Sequence, residues 1–305
     1  MTGATGNSGG EIARQLLSAG VRVRAVARSA KKLGALAAAG AETWSGDLAD
    51  PMFLTAALRG ADAAYVIVPQ RFDVQDYVAD QRRLVGSAIA ALRNSGIRRV
   101  VALSTPAASL RMGPPVMLAE FEEQLCAIPE IAAVILQPMF FMENHLAAIP
   151  MIVGAGIMGG GIRGDVALPM ISTRDVATAA MEHLLQPSFS GQTVRRLLGP
   201  RDYTFSEAAA TLGACVGIPD LRYVQFPVQE FRHGLAAAGF SETAASAFVE
   251  LAAAYNEGRI QAGVTRTPPN TTGTTLEAFA RDVFAPAFRA ASAGAVPVGH
   301  PERPA

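Results

Sequence analysis

Thr2-Gly3-Ala4-Thr5-Gly6-Asn7-Ser8-Gly9-Gly10 opens the chain, and from Glu11 the pattern turns helical, with Ile12, Ala13, Leu16 and Leu17 on one face and Gly20 as a stop. This is a glycine loop running into a helix. Glycines at 3, 6 and 9 let the backbone turn tightly, approach a pyrophosphate and pack the helix close, while the helix N-terminus offers free N–H groups and a partial positive charge. A glycine triplet is diagnostic only between two strands. Val21-Arg-Val-Arg-Ala-Val-Ala27 supplies the strand after the helix, but only Met1 precedes Thr2 where the strand before it belongs. In the usual doubly wound order that first strand is central, and its removal leaves unpaired N–H and C=O groups on two neighbours. The expectation is a natural chain that starts earlier than this numbering, or a locally compromised sheet.

Arg28 ends the second strand, 19 positions after Gly9, where an NAD-binding protein places an acidic residue on the ribose 2′-OH. Arginine cannot accept that hydrogen bond. It can pair with a 2′-phosphate, with Ser29 and Lys31 or Lys32 beside it, so NADP(H) is favoured over NAD(H). The plainer reading of Arg28 is a solvated side chain at a strand end.

Further along, a helix bearing Leu33, Leu36 and Ala37 leads to a short strand over residues 41–45, then Gly46-Asp47-Leu48, then a helix capped by Asp50-Pro51. Residues 63–68 read as a buried strand, the stretch with Val78, Val85, Ile89 and Leu92 as a long helix, and residues 100–104 and 131–136 as two more strands. Strictly alternating strands and helices argue for a parallel sheet covered on both faces. Beyond Pro138 the alternation loosens. A glycine-rich span at 154–164 precedes a helix over about 174–185 and a possible strand at 194–198. Thr204-Phe-Ser-Glu207 and Thr274-Thr-Leu-Glu277 read as capping boxes, and residues 228–258 as alanine-rich helix.

The chain has 305 residues, 26 Lys+Arg against 26 Asp+Glu, and 50% hydrophobic residues. A neutral total lacks the electrostatic footprint of nucleic-acid binding. The longest apolar runs, 63–68 and 131–136, are far shorter than the roughly 20 residues of a membrane helix, and the polar, glycine-rich start is no signal peptide. Cys126 and Cys215, without a CxxC pair, read as small buried hydrophobes in a reducing compartment. The expectation is a cytoplasmic protein that handles a small molecule.

The stretch from Thr2 to Gly9, with Leu16-Leu17 and Val23-Arg-Ala-Val-Ala-Arg28, resembles the NmrA-like branch of the atypical short-chain dehydrogenase/reductases. Gly46-Asp47-Leu48 is similar to the family's adenine-side turn, and Val68-Pro69 to its loop after the fourth strand. Gln137-Pro138-Met-Phe-Phe141-Met-Glu-Asn144 resembles its Arg-Pro-x-x-Phe-x-x-Asn segment, while Ser172-Thr-Arg-Asp175-Val176-Ala177 and Thr275-Leu-Glu-Ala-Phe279 resemble later helix starts. The resemblance spans almost the whole chain. It implies an α/β fold, a Rossmann-type doubly wound parallel sheet over residues 1–138, and a smaller, mostly helical substrate-covering region over 139–293, some of which returns to the sheet. Residues 294–305, with three prolines and two glycines, are expected to fray. Members range from NADPH-dependent reductases to regulators that bind the dinucleotide without turning it over.

Cofactor contacts are accordingly expected from Thr2, Gly3, Thr5, Gly6, Asn7, Ser8, Gly9, Arg28, Lys31, Asp47, Leu48, Val68, Pro69 and Ser104. Two departures bear on mechanism. Gln137 stands where the family has arginine, and the helix after Ser104 reads Val116-Met-Leu-Ala-Glu120-Phe-Glu-Glu-Gln-Leu125, with no Tyr-x-x-x-Lys pair. Alcohol dehydrogenase chemistry uses that tyrosine as proton donor and that lysine to lower its pKa. Hydride transfer to an enone, imine or quinone asks less of the protein, because the cofactor carries the reducing chemistry.

The four histidines, at 145, 183, 233 and 300, show no metal-ligand spacing. His145 is a candidate proton donor or a surface histidine at a helix start. Ser104, at the C-terminal end of its strand, faces the crevice where open α/β sheets bind ligands. Met139, Phe141, Asn144 and His145 are the candidate substrate pocket, with Phe140 and Met142 beside them, or the methionines and aromatics are core. Glu120, Glu122 and Glu123 read as a solvated helix face and Tyr65 as sheet core. The leading expectation is an NADP(H)-dependent reductase of a small conjugated or quinone-like substrate, possible as a homodimer. The alternatives are a non-catalytic dinucleotide sensor and non-redox chemistry on a scaffold with a vestigial cofactor site.

Overall fold

The computed structural model describes residues 1–186 and 189–294. The first half runs α1 (Asn7–Ser18), β1 (Arg24–Ala27), α2 (Ala30–Ala38), β2 (Glu42–Ser45), α3 (Pro51–Leu58), β3 (Ala64–Val66), α4 (Tyr77–Asn94), β4 (Arg99–Leu103), α5 (Leu118–Cys126) and β5 (Ala132–Pro138). The second half runs α6 (Ile149–Ala155), β6 (Ile157–Gly160), β7 (Ala167–Leu168), α7 (Thr173–Leu184), β8 (Gln192–Leu197), β9 (Tyr203–Thr204), α8 (Phe205–Cys215), β10 (Arg222–Gln225), α9 (Val228–Ala237), α10 (Glu242–Asn256), α11 (Leu276–Phe279) and α12 (Ala285–Gly294). The tail expected to fray lies, from residue 295 on, outside the described residues.

The main sheet is parallel, with β1 paired to β2 and the ladder β3-β4-β5-β8 beside it. Met1 and Thr2 join the two parts. Val26 N donates to Met1 O at 2.9 Å, Thr2 bridges Val26, and Thr2 N donates to Tyr65 O at 3.0 Å. The Thr2 hydroxyl adds a rung by donating to Ile67 O at 3.0 Å and accepting from Ile67 N at 2.8 Å. The expected loss of the first strand is therefore corrected in degree: two residues and one hydroxyl fill the last rungs of its slot, directly beneath the glycine loop. The order β2, β1, Met1–Thr2, β3, β4, β5, β8 is that of a doubly wound sheet.

Successive strand residues face opposite layers. Val26, Val66, Val100, Ala102, Ala133 and Ile135 pack with α3, α4 and α5. Ala25, Tyr65, Val101, Leu103, Val134 and Leu136 pack with α1, α2 and α7. A third cluster, with Met142, Leu168, Tyr203, Phe205, Leu212 and Phe284, forms the core of the C-terminal part, where β6 pairs with β10 and β7 with β9. Strand β10 was not anticipated, although Leu221, Tyr223 and the residues between and after them carry a short alternation.

Local readings shift at several places. Helix α1 starts at Asn7 rather than Glu11, because the close seat of Gly9 on the Gly3 carbonyl lets the glycine stretch coil as its first turn. Asp50 accepts from Met52 N and Phe53 N, with Pro51 in the first turn, and Thr204 with Glu207 forms the expected capping box. At the second box the cap is Thr275, whose hydroxyl accepts from Ala278 N, while Thr274 turns away to Asp175. Tyr77 rather than Val78 faces the core from α4. Cys126 is only half-buried, and Cys215, at the C-terminal end of α8 past its packed face, is exposed.

Two carboxylates fasten the distant segments together. Buried Glu143 accepts from Thr173 N at 2.9 Å, Thr173 Oγ1 at 2.6 Å and Ser172 Oγ at 3.2 Å, so it caps α7 from the 140s segment. Asp175 accepts from Thr274 N at 2.9 Å and Thr274 Oγ1 at 2.6 Å. Burial pushes the Glu143 carboxyl up, against the pull of these donors. Ser172 still caps α7 through Arg174 N in Glu143→Ala, but Thr173 N, Thr173 Oγ1 and Ser172 Oγ lose their buried acceptor, which should lower unfolding stability by about 2–4 kcal/mol. Denaturant titration measures it.

Candidate functional site

The site is built where α1 leaves the sheet. Gly3 has φ +65°, and a Cβ there would lie 2.2 Å from Ile67 Cγ2; at Gly9 a Cβ would lie 2.2 Å from the Gly3 carbonyl oxygen. Both glycines are demanded by the fold itself. Gly6 differs: its backbone is extended, at φ −91° and ψ 177°, and a Cβ would meet only the Gly3 oxygen at 3.4 Å. Among the described residues no group crowds that glycine, and what favours it over alanine within the protein is its place at a helix start. Gly6 is the N-cap of α1, and no side chain caps the helix among the described residues. The uncapped N–H groups, the open Gly6 and the exposed Thr5 and Asn7 form a cradle that fits an anionic group. Ser8 is buried, its Oγ 3.4 Å from Tyr65 Oη, and Tyr65 is core as expected. The Thr2 hydroxyl is committed to Ile67, so its part is to hold the loop rather than a ligand.

At the end of β1, Arg28 and Lys31 are exposed. Ser29 is the N-cap of α2, its hydroxyl accepting from Lys32 N at 3.4 Å. After β2, Asp47 accepts from Ala49 N at 3.0 Å and Leu48 is buried; after β3, Val68 is buried and Pro69 half-buried. These turns all sit at the C-terminal ends of parallel strands, on the side where such sheets take ligands. Two arginines missed in the sequence join them. Arg71 Nη1 lies 3.7 Å and Arg83 Nη1 3.6 Å from the Asp47 carboxylate, and both reach buried Asp80, with Arg71 Nε 2.7 Å from its Oδ2. Asp47 is thus not an isolated negative charge. No spacing motif links 47, 71, 80 and 83, so only the fold reveals the group.

Ser104 ends β4. Its amide donates to Leu136 O at 2.8 Å, while its Oγ is buried with no partner among the described residues. An orphaned hydroxyl at the crevice is a cost that a bound ligand can relieve. On α5, Glu122 is half-buried and accepts from Gln137 Nε2 at 2.9 Å, which corrects the reading of that helix as wholly solvated.

The proposed substrate segment divides. Met139 and Met142 are buried in the C-terminal core, whereas Phe140 and Phe141 are half-buried and Asn144 is exposed. His145 is no surface residue: it is 3% exposed, its Nε2 is 3.3 Å from Met170 Sδ, and its ring packs against Phe140 and Phe205. Apolar burial pushes its pKa down to about 4. The imidazole is neutral near pH 7 and faces sulfur and aromatic rings, a setting that argues against a proton donor.

The match to known proteins extends over most of the chain. The NAD(P)H azoreductase of Xenophilus azovorans is 32% identical over 296 residues, covering 95% of this chain and 98% of the relative. The (4-alkanoyl-5-oxo-2,5-dihydrofuran-3-yl)methyl phosphate reductase of Streptomyces griseus is 30% identical over 281 residues, covering 92% and 94%. Among solved structures, the NADPH-dependent quinone oxidoreductase of Escherichia coli complexed with NADPH aligns over 93% of this chain and 98% of its own, with a TM-score of 0.72 and 24% identity. The triphenylmethane reductase of Citrobacter sp. complexed with NADP(H) aligns over 92% and 98%, with a TM-score of 0.74 and 21% identity. These two share the doubly wound fold described above. The model of the NmrA-like family matches residues 1–267, from the glycine loop into the C-terminal part, and the chain belongs to that family.

Proposed function

We propose that this protein is an NADP(H)-dependent reductase that delivers a hydride to a small, conjugated acceptor of the quinone or azo type. The observation that carries the cofactor reading is the cradle at Gly6, where no side chain caps α1 and the space before its first N–H groups is open. Its relatives by sequence, an NAD(P)H azoreductase and a phosphate-bearing furanone reductase, support the reaction class.

In this reading the α1 N–H groups and the loop backbone bind the pyrophosphate, and Arg28 with Lys31 holds the 2′-phosphate. Asp47, Leu48, Val68 and Pro69 border the adenosine, and the Ser104 hydroxyl offers its hydrogen bond in the crevice. Residues 139–293 form the substrate-covering part, with half-buried Phe140 and Phe141 offering apolar walls. When bound, the nicotinamide supplies the hydride. The chain has no Tyr-x-x-x-Lys pair and its nearest histidine is held neutral in the core, so an acceptor whose reduced form takes its proton from water suits it best.

Steady-state oxidation of NADPH with a panel of quinones and azo dyes tests the reaction. Turnover is the expected result; NADPH that binds but is oxidised by none of them would make the protein a sensor instead. Arg28→Asp tests the cofactor choice, because it replaces the phosphate's partner with a ribose acceptor. NADPH affinity should fall by about 30-fold while NADH affinity rises, a change of about 2 kcal/mol read by titrating each nucleotide. Unchanged affinities would leave Arg28 a solvated strand end.

A further inference from the structure

The loop that follows β3 is fastened from beneath by side chains that no motif marks. Gln81 on α4, only 1% exposed, donates from Nε2 to Pro69 O at 3.1 Å, and its Oε1 accepts from Gln70 Nε2 at 3.2 Å. Gln70 Oε1 accepts from Tyr77 Oη, which also lies 2.7 Å from Pro114 O, so one phenolic hydrogen serves two carbonyl acceptors. Tyr77 is itself fully buried, stacks on Phe72 and donates its amide N–H to Thr243 Oγ1, just inside the first turn of α10. The relay therefore ties the loop after β3 to the loop after β4 and to the C-terminal part.

A buried carboxamide is a deliberate feature, because it destabilises unless every polar atom is matched. Gln81 shares its helix face with Leu84, Val85 and Ala88, where a methionine would pack equally well. What methionine cannot do is hold the Pro69 carbonyl and the Gln70 amide in one geometry. Those two residues follow directly on β3, at the C-terminal edge of the parallel sheet where such sheets take ligands.

We infer that Gln81, through Pro69 and Gln70 and with Tyr77 closing the far end, is a positioning residue that presets the loop after β3 for the dinucleotide. This rests on the NADP(H) reading above. Such a residue acts on binding, by sparing the ligand the ordering of the loop, rather than on the hydride step.

The test compares wild type, Gln81→Met, Gln70→Ala and the double variant by calorimetric titration with NADPH, at a temperature where circular dichroism shows each folded. Gln81→Met should weaken NADPH about tenfold and raise its KM by a similar factor, with kcat for a reducible acceptor within about twofold. The double variant should be no weaker than Gln81→Met alone, because both changes act through one loop. NADPH affinity equal to wild type in a folded Gln81→Met protein overturns the inference and makes Gln81 a packing residue. Should that variant not fold, Gln70→Ala at its half-exposed position decides by the same comparison. A wild-type protein that binds no NADPH overturns the cofactor reading itself, and is recognised before any variant is compared.

Discussion

Gly6→Ala is expected to stay folded and to lose NADPH, while Gly9→Ala is expected to lose the fold. The two glycines lie three residues apart in one loop, and the surroundings of each separate their roles. At Gly9 an added Cβ would sit 2.2 Å from one backbone oxygen and 2.7 Å from its carbon, neither of which can move without dismantling the turn at Gly3. Such a contact belongs with the large destabilisations, more than about 3 kcal/mol. At Gly6 the backbone is in a region open to any residue and the nearest protein atom would be 3.4 Å away, so the cost should be no more than the preference of a helix start for glycine over alanine, about 1 kcal/mol. Only a ligand pressed against the loop would meet the new methyl group. NADPH affinity should fall by roughly 100-fold or more, about 2.7 kcal/mol. Thermal unfolding and calorimetric titration on both variants make the comparison; undiminished NADPH binding by Gly6→Ala would remove the pyrophosphate from this loop.

The second large effect is a pH dependence from His145. Its pKa is about 4 in the folded protein against an ordinary value of 6.5, so between those values the unfolded chain binds the proton that the native core refuses. The sign follows directly: the stabilisation is complete above about pH 6.5 and is lost as pH falls toward 4. Between pH 7 and pH 5 this one group should remove about 2 kcal/mol. His145→Leu, apolar and of similar size, should lack that loss, so the difference in stability between wild type and variant shifts in the variant's favour by about 2 kcal/mol on acidification. Denaturant midpoints at the two pH values measure it. Parallel curves would mean that the ring is reachable by water and free to charge.

The doubly wound core was legible because its signals are local: the glycine loop, valine-rich strands at helix-length intervals, and the Asp50-Pro51 and Thr204-Glu207 caps each act within a few residues. The family segments were legible as well, but not what joins them. Glu143 to Thr173 and Asp175 to Thr274 are contacts across 30 and 99 positions, and nothing in either segment specifies its partner. The same holds for the Asp47, Arg71, Asp80 and Arg83 group and for Gln81. His145 misled for a related reason. A histidine beside an exposed asparagine in a short helical turn reads as surface until Met170, Phe140 and Phe205 are seen to enclose it. Thr2 is the converse case, a motif residue whose hydroxyl completes the sheet, a use visible only once Ile67 is in place.

The central claim is that the cradle at Gly6 and the exposed Arg28 together hold NADP(H). Calorimetric titration of the wild-type protein with NADPH and, separately, with NADH tests it most directly. The account predicts saturable binding of one NADPH per chain, at least about tenfold tighter than NADH, a difference of about 1.4 kcal/mol. Absence of heat and of competition with either nucleotide would contradict it, and NADH bound as tightly as NADPH would take Arg28 out of the site.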